Sequence, residues 1–563
     1  MIITVTVWGS MNVRDQSDQL IQRSHRQTQA GWAQQAPMET PDALNIEYTN
    51  KGPRKRRGQA TDASLATLMA AGETLIHGYS WHHPTTGAQI QIVVSTRTIY
   101  VDQAAAGSFV QVNASTSTSY VHAATVTAVS IVPIDGHAII GLNGANQMQV
   151  YKTSADLDPR LVSGQLWESA YGATSETITG TWNDATYLLT SIHGRLAYSD
   201  GTNLVEFTPG ANDPSSGVWN LLGAHGGAQF GDGAIRMLAT MNPGEGDAKD
   251  SLLYIGTLQG MSYLSGFQEY DRIEERIDIE PVLNHRSYFT VKNWLVWITR
   301  EKNIKAAHAG YVIDLGRRMK TTNRDGPLDA MDVSESLLTA FAFYDPDNKV
   351  GGFAFTTATG RVNDTIIALD FKLGEPQIGE PMESYERKVR LMKWQINLPD
   401  TNDWFIHIYQ RDNALVGLTQ AGLSYTLNSL TVDNDLASIA IEAKLSWPDF
   451  AGGDEFSPNQ MQWFRFDQAY ESLGDWDVTT RFFLNRDNGS ANDYLVDQVN
   501  TGAFLIGTSE IGDSLGSSGM VRHYRRMALR SETVRPRIEN DGQNETFTLM
   551  SQSLTYEPKA IVR

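Results

Sequence analysis

The stretch GRLAYSDGTNLVEFTPG (Gly194–Gly210) sets the texture of the whole chain: a short apolar run, an Asp-Gly turn, and a second run that ends on an aromatic before a Pro-Gly break. β-Branched and aromatic residues suit a pleated, half-buried surface, and Asp-Gly supplies the positive φ of a tight hairpin. The same order recurs in GHAIIGLNGANQMQVYKT (136–153) and DSLLYIGTLQGMSYLSG (250–266). Working outward, the units fall near Tyr79–Val112, Thr125–Tyr151, Thr177–Phe207, Met237–Tyr270, Tyr288–Leu315, Ala340–Phe371 and Met392–Tyr425. Units of roughly 40 to 55 residues have the size of β-propeller blades. No WD or kelch signature accompanies them, and a pair of β-sandwiches would show the same turn density.

Two flanking regions differ in texture. QSDQLIQRSHRQTQAGWAQQ (16–35) is polar and Gln-rich and reads as an extended arm. Past residue 436, MQWFRFDQAY, WDVTTRFFLN and ETFTLMSQSLTYEP alternate over longer spans, as strands with one buried and one wet face do. The expected architecture is therefore all-β: an arm and assembly segment over 1–60, an irregular β-propeller-like domain over 61–435, and an antiparallel β-sandwich-like domain over 436–563.

Composition narrows the chemistry. The 563 residues hold 45 Lys plus Arg against 64 Asp plus Glu, a formal charge of −19, which argues against a surface built to grip a phosphate backbone. Without cysteine there is no disulfide framework, no thiolate nucleophile and no Cys-based zinc site. The start, MIITVTVWGSMNVRDQ, lacks the basic region of a secretory signal, and no run reaches the length of a membrane span.

The candidate motifs reduce to turns and surface features. YSDGTN (198–203) and NRDNG (485–489) resemble aspartate boxes or calcium loops, but Asp and Asn before Gly also form plain hairpin turns. DPDNKVGG (345–352) opens like an EF-hand loop, yet Lys349 stands where an oxygen ligand belongs. His82 and His83, adjacent in SWHHPTTG, would point to opposite faces of a strand and cannot converge on one metal. The acidic run EYDRIEERIDIE (269–280) alternates with Arg272 and Arg276 and reads as a salt-bridged face. No nucleophile elbow, phosphate-binding loop or dinucleotide fingerprint occurs, so neither a cofactor nor an enzymatic reaction is expected.

One stretch remains, NIEYTNKGPRKRRG (45–58), in which Arg54, Lys55, Arg56 and Arg57 stand in a row within an acidic chain. Upstream lies GWAQQAPMETPDAL (31–44), whose two prolines favour an extended course. In this order the region resembles the amino terminus of the nozzle, or tail tubular protein B, family of short-tailed bacteriophages. The matching residues are Gly31, Gln34, Gln35 and Pro37, then Asn45, Gly52, Arg56, Arg57 and Gly58; the family's proline between the arginines and the glycine is missing. SPNQMQWFRFDQAY, RHYRRMALRSETVRPRIEN and ETFTLMSQSLTYEP are likewise similar to the terminal sheet of phage tail proteins.

The resemblance implies a virion tail protein assembled in the host cytoplasm as a homohexameric ring. It would dock on the tail adaptor ring, contact tail fibres and let viral DNA pass without specific binding. In that reading Arg54, Lys55, Arg56 and Arg57 pair with acidic surfaces of a neighbouring subunit or the adaptor; the plainer reading is a solvated basic turn. A propeller glycosidase or lyase, and a receptor-binding protein for cell-surface polysaccharide, are the alternatives.

Overall fold

A computed structural model describes residues 3–8, 42–49, 53–82, 87, 89–102, 108–114, 119–134, 137–144, 149–152, 165–168, 187–192, 195–207, 228–229, 233–241, 251–265, 273–315, 328–358, 361–380, 388–411, 414–427, 435, 439–446, 450–451, 461–471, 476–484, 493–499, 520–542 and 545–558. The chain divides into two compact units: residues 61–391 with 398–427, and residues 1–60 with 392–397 and 428–563.

Among the described residues, the larger unit is a β-propeller of seven blades. Its largely antiparallel sheets have, in chain order, the inner strands Leu75–His82, Val129–Ile134, Leu188–Ile192, Ile235–Met241, Tyr288–Val291, Phe341–Asp345 and Phe405–Arg411; at the outer edge of the second, Asn113–Ala114 lies parallel to Gln165–Glu168. Each inner strand is followed outward by its sequence neighbours, as in Tyr288–Val291, Trp294–Ile298, Ile304–His308 and Tyr311–Asp314. Neighbouring inner strands stand side by side around the ring, including Phe405–Arg411 against Leu75–His82. Between the fourth and fifth sheets the Tyr288 hydroxyl donates to Leu238 O at 3.1 Å.

The seventh blade is composite. Phe405–Arg411, Ala414–Thr419 and Leu423–Thr426 come from the carboxy-terminal side, and Ala60–Ser64 supplies the fourth strand. A strand from the start of the propeller thereby fastens its last sheet, and Leu65 N–H donates to Gly422 O at 2.7 Å beside this seam.

Why the strands read as nearly unbroken apolar runs follows from period-two alternation with both faces covered. In Gln89–Ser95, Ile92 and Val94 pack toward the second blade, while Val93 packs toward the seventh. In Trp294–Ile298, Trp294, Val296 and Ile298 face the sixth blade and Leu295 and Trp297 the fourth. The core is thus a set of layers between sheets, each formed by two facing surfaces.

The smaller unit is a β-sandwich. One sheet has the order Ile3–Trp8, Leu549–Pro558, Met461–Glu471, Met520–Ser531; in the other, Asp42–Leu44, Ala443–Ser446, Thr533–Asn540, Trp476–Leu484 and Asp493–Val499 follow one another. Trp463, Phe466 and Tyr470 of the first sheet share a core with Val478, Phe482 and Ile538 of the second. The Phe466 and Phe482 rings meet edge-to-face at 5.0 Å. Strands from residues 1–60 and from 436–563 both build this sandwich.

The motif-like turns resolve as local structure. Asp200 accepts the Thr202 N–H at 2.9 Å and Gly201 sits at φ 87°, an Asx-capped hairpin. Asp345 accepts from the Asp347 and Asn348 backbone at 3.0 and 3.1 Å, and Lys349 takes φ 51°, so this loop is a hairpin connection too. Within the acidic run, Ile273–Asp278 is the outer strand of the fourth blade; Lys305 of the fifth pairs with Asp278 at 2.7 Å and with Glu280 at 2.9 Å. His82 ends an inner strand and is exposed, while His83, Asn485–Gly489, Gly31, Gln34, Gln35, Pro37 and Gly52 lie outside the described residues.

Candidate functional site

The basic stretch comes first, because the sequence singled it out. Ile46–Tyr48 and Pro53–Lys55 form a hairpin with Ile46 opposite Lys55 and Glu47 opposite Arg54. Alternation therefore sends the four basic residues to different environments. Lys55 and Arg56 are 0% and 4% exposed. Lys55 Nζ donates to Asn540 Oδ1 at 2.5 Å and to Gly542 O at 3.1 Å, inside the sandwich unit.

Arg56 is the centre of a buried lock. Its guanidinium contacts both Asp435 carboxylate oxygens at 2.8 Å, Gln395 O at 2.8 Å and Asn45 Oδ1 at 2.9 Å. Asn45, at φ 54°, also accepts from the Gln395 N–H at 2.7 Å and donates through Nδ2 to Glu442 O at 2.7 Å. Asp435 further accepts from Asn397 N–H at 3.1 Å and Gln59 Nε2 at 3.2 Å. The expectation of a docking patch is thereby corrected for Lys55 and Arg56, since their charges are taken up within the chain. Arg54 pairs with Glu47 across the hairpin, and Arg57 is half-buried. Two of the residues that carry the family resemblance, Asn45 and Arg56, are thus hydrogen-bonded to each other, which the sequence did not foresee.

A second site lies on the propeller axis, where the inner strands enclose a cavity of about 630 Å³. Its chemistry departs from that of the chain. Among the described residues lining it there is no Asp or Glu, and Arg286 is the one Arg or Lys, joined by His77, His82, His285 and His407. His77, His285, Arg286 and His407 all fall at or just before the first residues of their inner strands, so the parallel arrangement of those strands gathers them at one end of the axis.

Arg286 spans this end. It donates to Ile76 O of the first blade at 2.7 Å and to Leu338 O before the sixth at 2.6 Å, while its own carbonyl accepts the Ala342 N–H at 2.7 Å. His285 Nε2 meets Val129 O of the second blade at 3.1 Å. The His407 ring lies 6.1 Å from that of His77 and stacks on Tyr409 at 5.4 Å. Gly78 makes this approach possible, because a Cβ there would come within 2.7 Å of the His407 ring.

Burial, then the Arg286 charge, pull His285 and His407 down to about 3; the same causes, with the two other imidazoles, hold His77 well below the ordinary histidine range. Burial alone lowers Arg286 to about 10. All three imidazoles are therefore neutral beside the Arg286 guanidinium. The sequence carried a signal for two of them: IHGY (76–79) and IHIY (406–409) place His and Tyr two apart on one strand face in adjacent blades.

No protein-family model matches the sequence, and no curated protein does. Among solved structures, the chain is similar to the WD40 β-propeller domain of Doa1, at 10% identity over 66% of this chain and 96% of that one, with a TM-score of 0.37. It is also similar to a catalytically inactive virginiamycin B lyase from Staphylococcus aureus with quinupristin, at 10% identity over 66% and 99%, TM-score 0.39. A third is the computationally designed Ika8 protein, at 11% identity over 69% and 97%, TM-score 0.35. The propeller stands on the chain's own strand order and ring closure.

Proposed function

We propose that this chain is a structural tail protein of a short-tailed bacteriophage, a nozzle subunit that forms a ring conduit for DNA ejection. The observation that carries the reading is the Asn45–Arg56–Asp435 lock: the residues of the family-like segment are the ones that tie the amino-terminal hairpin into the sandwich unit. A segment that anchors a rigid β-platform suits a load-bearing assembly protein.

Charge supports the same reading. A conduit for double-stranded DNA must not hold it, and a chain of −19 repeated around a ring presents a repelling field. A glycosidase that uses a carboxylate pair is disfavoured at the axial cavity, whose described lining has no carboxylate to serve as acid, base or nucleophile. Docking to the adaptor ring and fibres, and sixfold symmetry, belong to this proposal.

The test is the mass and symmetry of the purified protein by light scattering and negative-stain microscopy, with and without the adaptor ring. A hollow ring, alone or nucleated by the adaptor, is expected. A monomer inert toward the adaptor that releases reducing sugar from polysaccharide would overturn the proposal in favour of a propeller glycosidase.

A further inference from the structure

We propose that the axial cavity of the propeller is a binding site for a small oxyanion, a carboxylate or phosphate group, held by Arg286 with His77 and His407 beside it. This goes beyond the nozzle reading and does not depend on it. Three observations carry it. In a chain with 64 acidic residues, none of the described residues lining the cavity is acidic, so the Arg286 charge has no carboxylate counterpart there. Carbonyl oxygens satisfy some guanidinium N–H groups without neutralising the charge, and a half-buried cation with no carboxylate beside it attracts an anion. Finally, Arg286 Nε, His77 Nδ1 and His407 Nε2 have no hydrogen-bond partner among the described residues and are closed to water, so an anion in the cavity meets them only after a small shift of these side chains.

An oxyanion answers all three. It supplies the missing negative charge and accepts from the guanidinium and from imidazole N–H groups in a low-dielectric space, where charge-assisted bonds are strong. The blades hold these donors in place before any ligand arrives, so little ordering cost opposes binding. The Arg286 charge opposes a cation, the described residues hold no cluster of three metal-ligating side chains, and a neutral ligand would leave the guanidinium uncompensated.

The experiment is calorimetric titration of the full-length protein with inorganic phosphate and, separately, with glucuronate, at constant ionic strength in chloride. Saturable one-site binding of either is expected, and the tighter of the two identifies the headgroup as phosphate or carboxylate. Arg286→Gln should weaken it at least about tenfold, the equivalent of one charge-assisted hydrogen bond. Because Arg286 also bridges blades, His407→Gln and Arg286→Lys serve as second variants, each checked for an unchanged circular dichroism spectrum. His407→Gln should weaken binding several-fold, and Arg286→Lys should keep more affinity than Arg286→Gln or, if that variant does not fold, less than the native protein. Binding of neither anion, or equal affinity in the folded variants, overturns the proposal.

Discussion

At the scale of single residues, the smaller unit depends on Arg56. A buried guanidinium facing a buried carboxylate contributes less than it costs to break, since removing one partner strands the other charge. Arg56→Ala leaves Asp435 with Gln59 and Asn397 alone and should destabilise the sandwich unit by about 3–5 kcal/mol. Arg56→Lys should recover only part of this, because an ammonium cannot reproduce the planar fork that meets Asp435, Gln395 and Asn45 together. Urea unfolding followed by fluorescence measures both; an unchanged midpoint in Arg56→Ala would remove the lock from the account.

The same scale sets a pH dependence. His285 and His407 titrate at about 3 in the folded chain and His122 at about 4, with His77 also depressed, against 6.5 for a free histidine. As pH falls below about 6.5 the unfolded chain takes up protons that these folded histidines refuse, so their contribution to stability is present above that pH and is lost on acidification. Each such histidine adds about 1.4 kcal/mol per pH unit to the slope well below pH 6.5. Stability measured by denaturant between pH 7 and pH 4.5 should fall accordingly, and His407→Gln should flatten the curve. A flat profile across that range would contradict the burial of neutral imidazoles.

At the scale of elements, the strands were largely legible and their charges were not. Continuous runs such as LLYIG and WLVWI announce strands by composition and by the turns that bound them, and each lies in one blade. In the acidic run at 269–280, Asp278 and Glu280 are salt-bridged, though to Lys305 of the next blade, and residues 269–272 lie outside the described residues. The basic run was different, because residues adjacent on a strand face opposite ways and only the partners across the sandwich decide which are buried. Nothing within NIEYTNKGPRKRRG names Asp435 or Asn540, which lie 379 and 485 residues further along the chain from Arg56 and Lys55.

For the whole molecule, the decisive element is the strand that closes the ring. Ala60–Ser64 lies at the outer edge of the seventh blade, and Leu65 N–H already points to Gly422 O. Backbone N–H groups alternate in direction along a strand, so Ala63 presents its N–H to the same side as Leu65, and Ser64 presents its N–H away. Ala63→Pro should therefore remove a ladder bond, open the seam and lower the propeller's thermal midpoint, while Ser64→Pro should be tolerated far better. Thermal unfolding with limited proteolysis distinguishes them; equal behaviour of the two variants would show that this strand does not fasten the ring.

The sequence by itself determined that the chain is all-β, that strand pairs recur at blade-like intervals, and that the region past residue 436 carries a different, longer alternation, because periodicity and turn chemistry act over a few neighbouring residues. It also set the excess of negative charge. Only the tertiary structure decided that the amino-terminal hairpin belongs with the carboxy-terminal sheets, and that Lys55 and Arg56 are interior. Only it drew His77, His285, Arg286 and His407 to one end of an axis free of described carboxylates. Those outcomes depend on contacts between residues hundreds of positions apart, and ring closure, not local preference, brings them together.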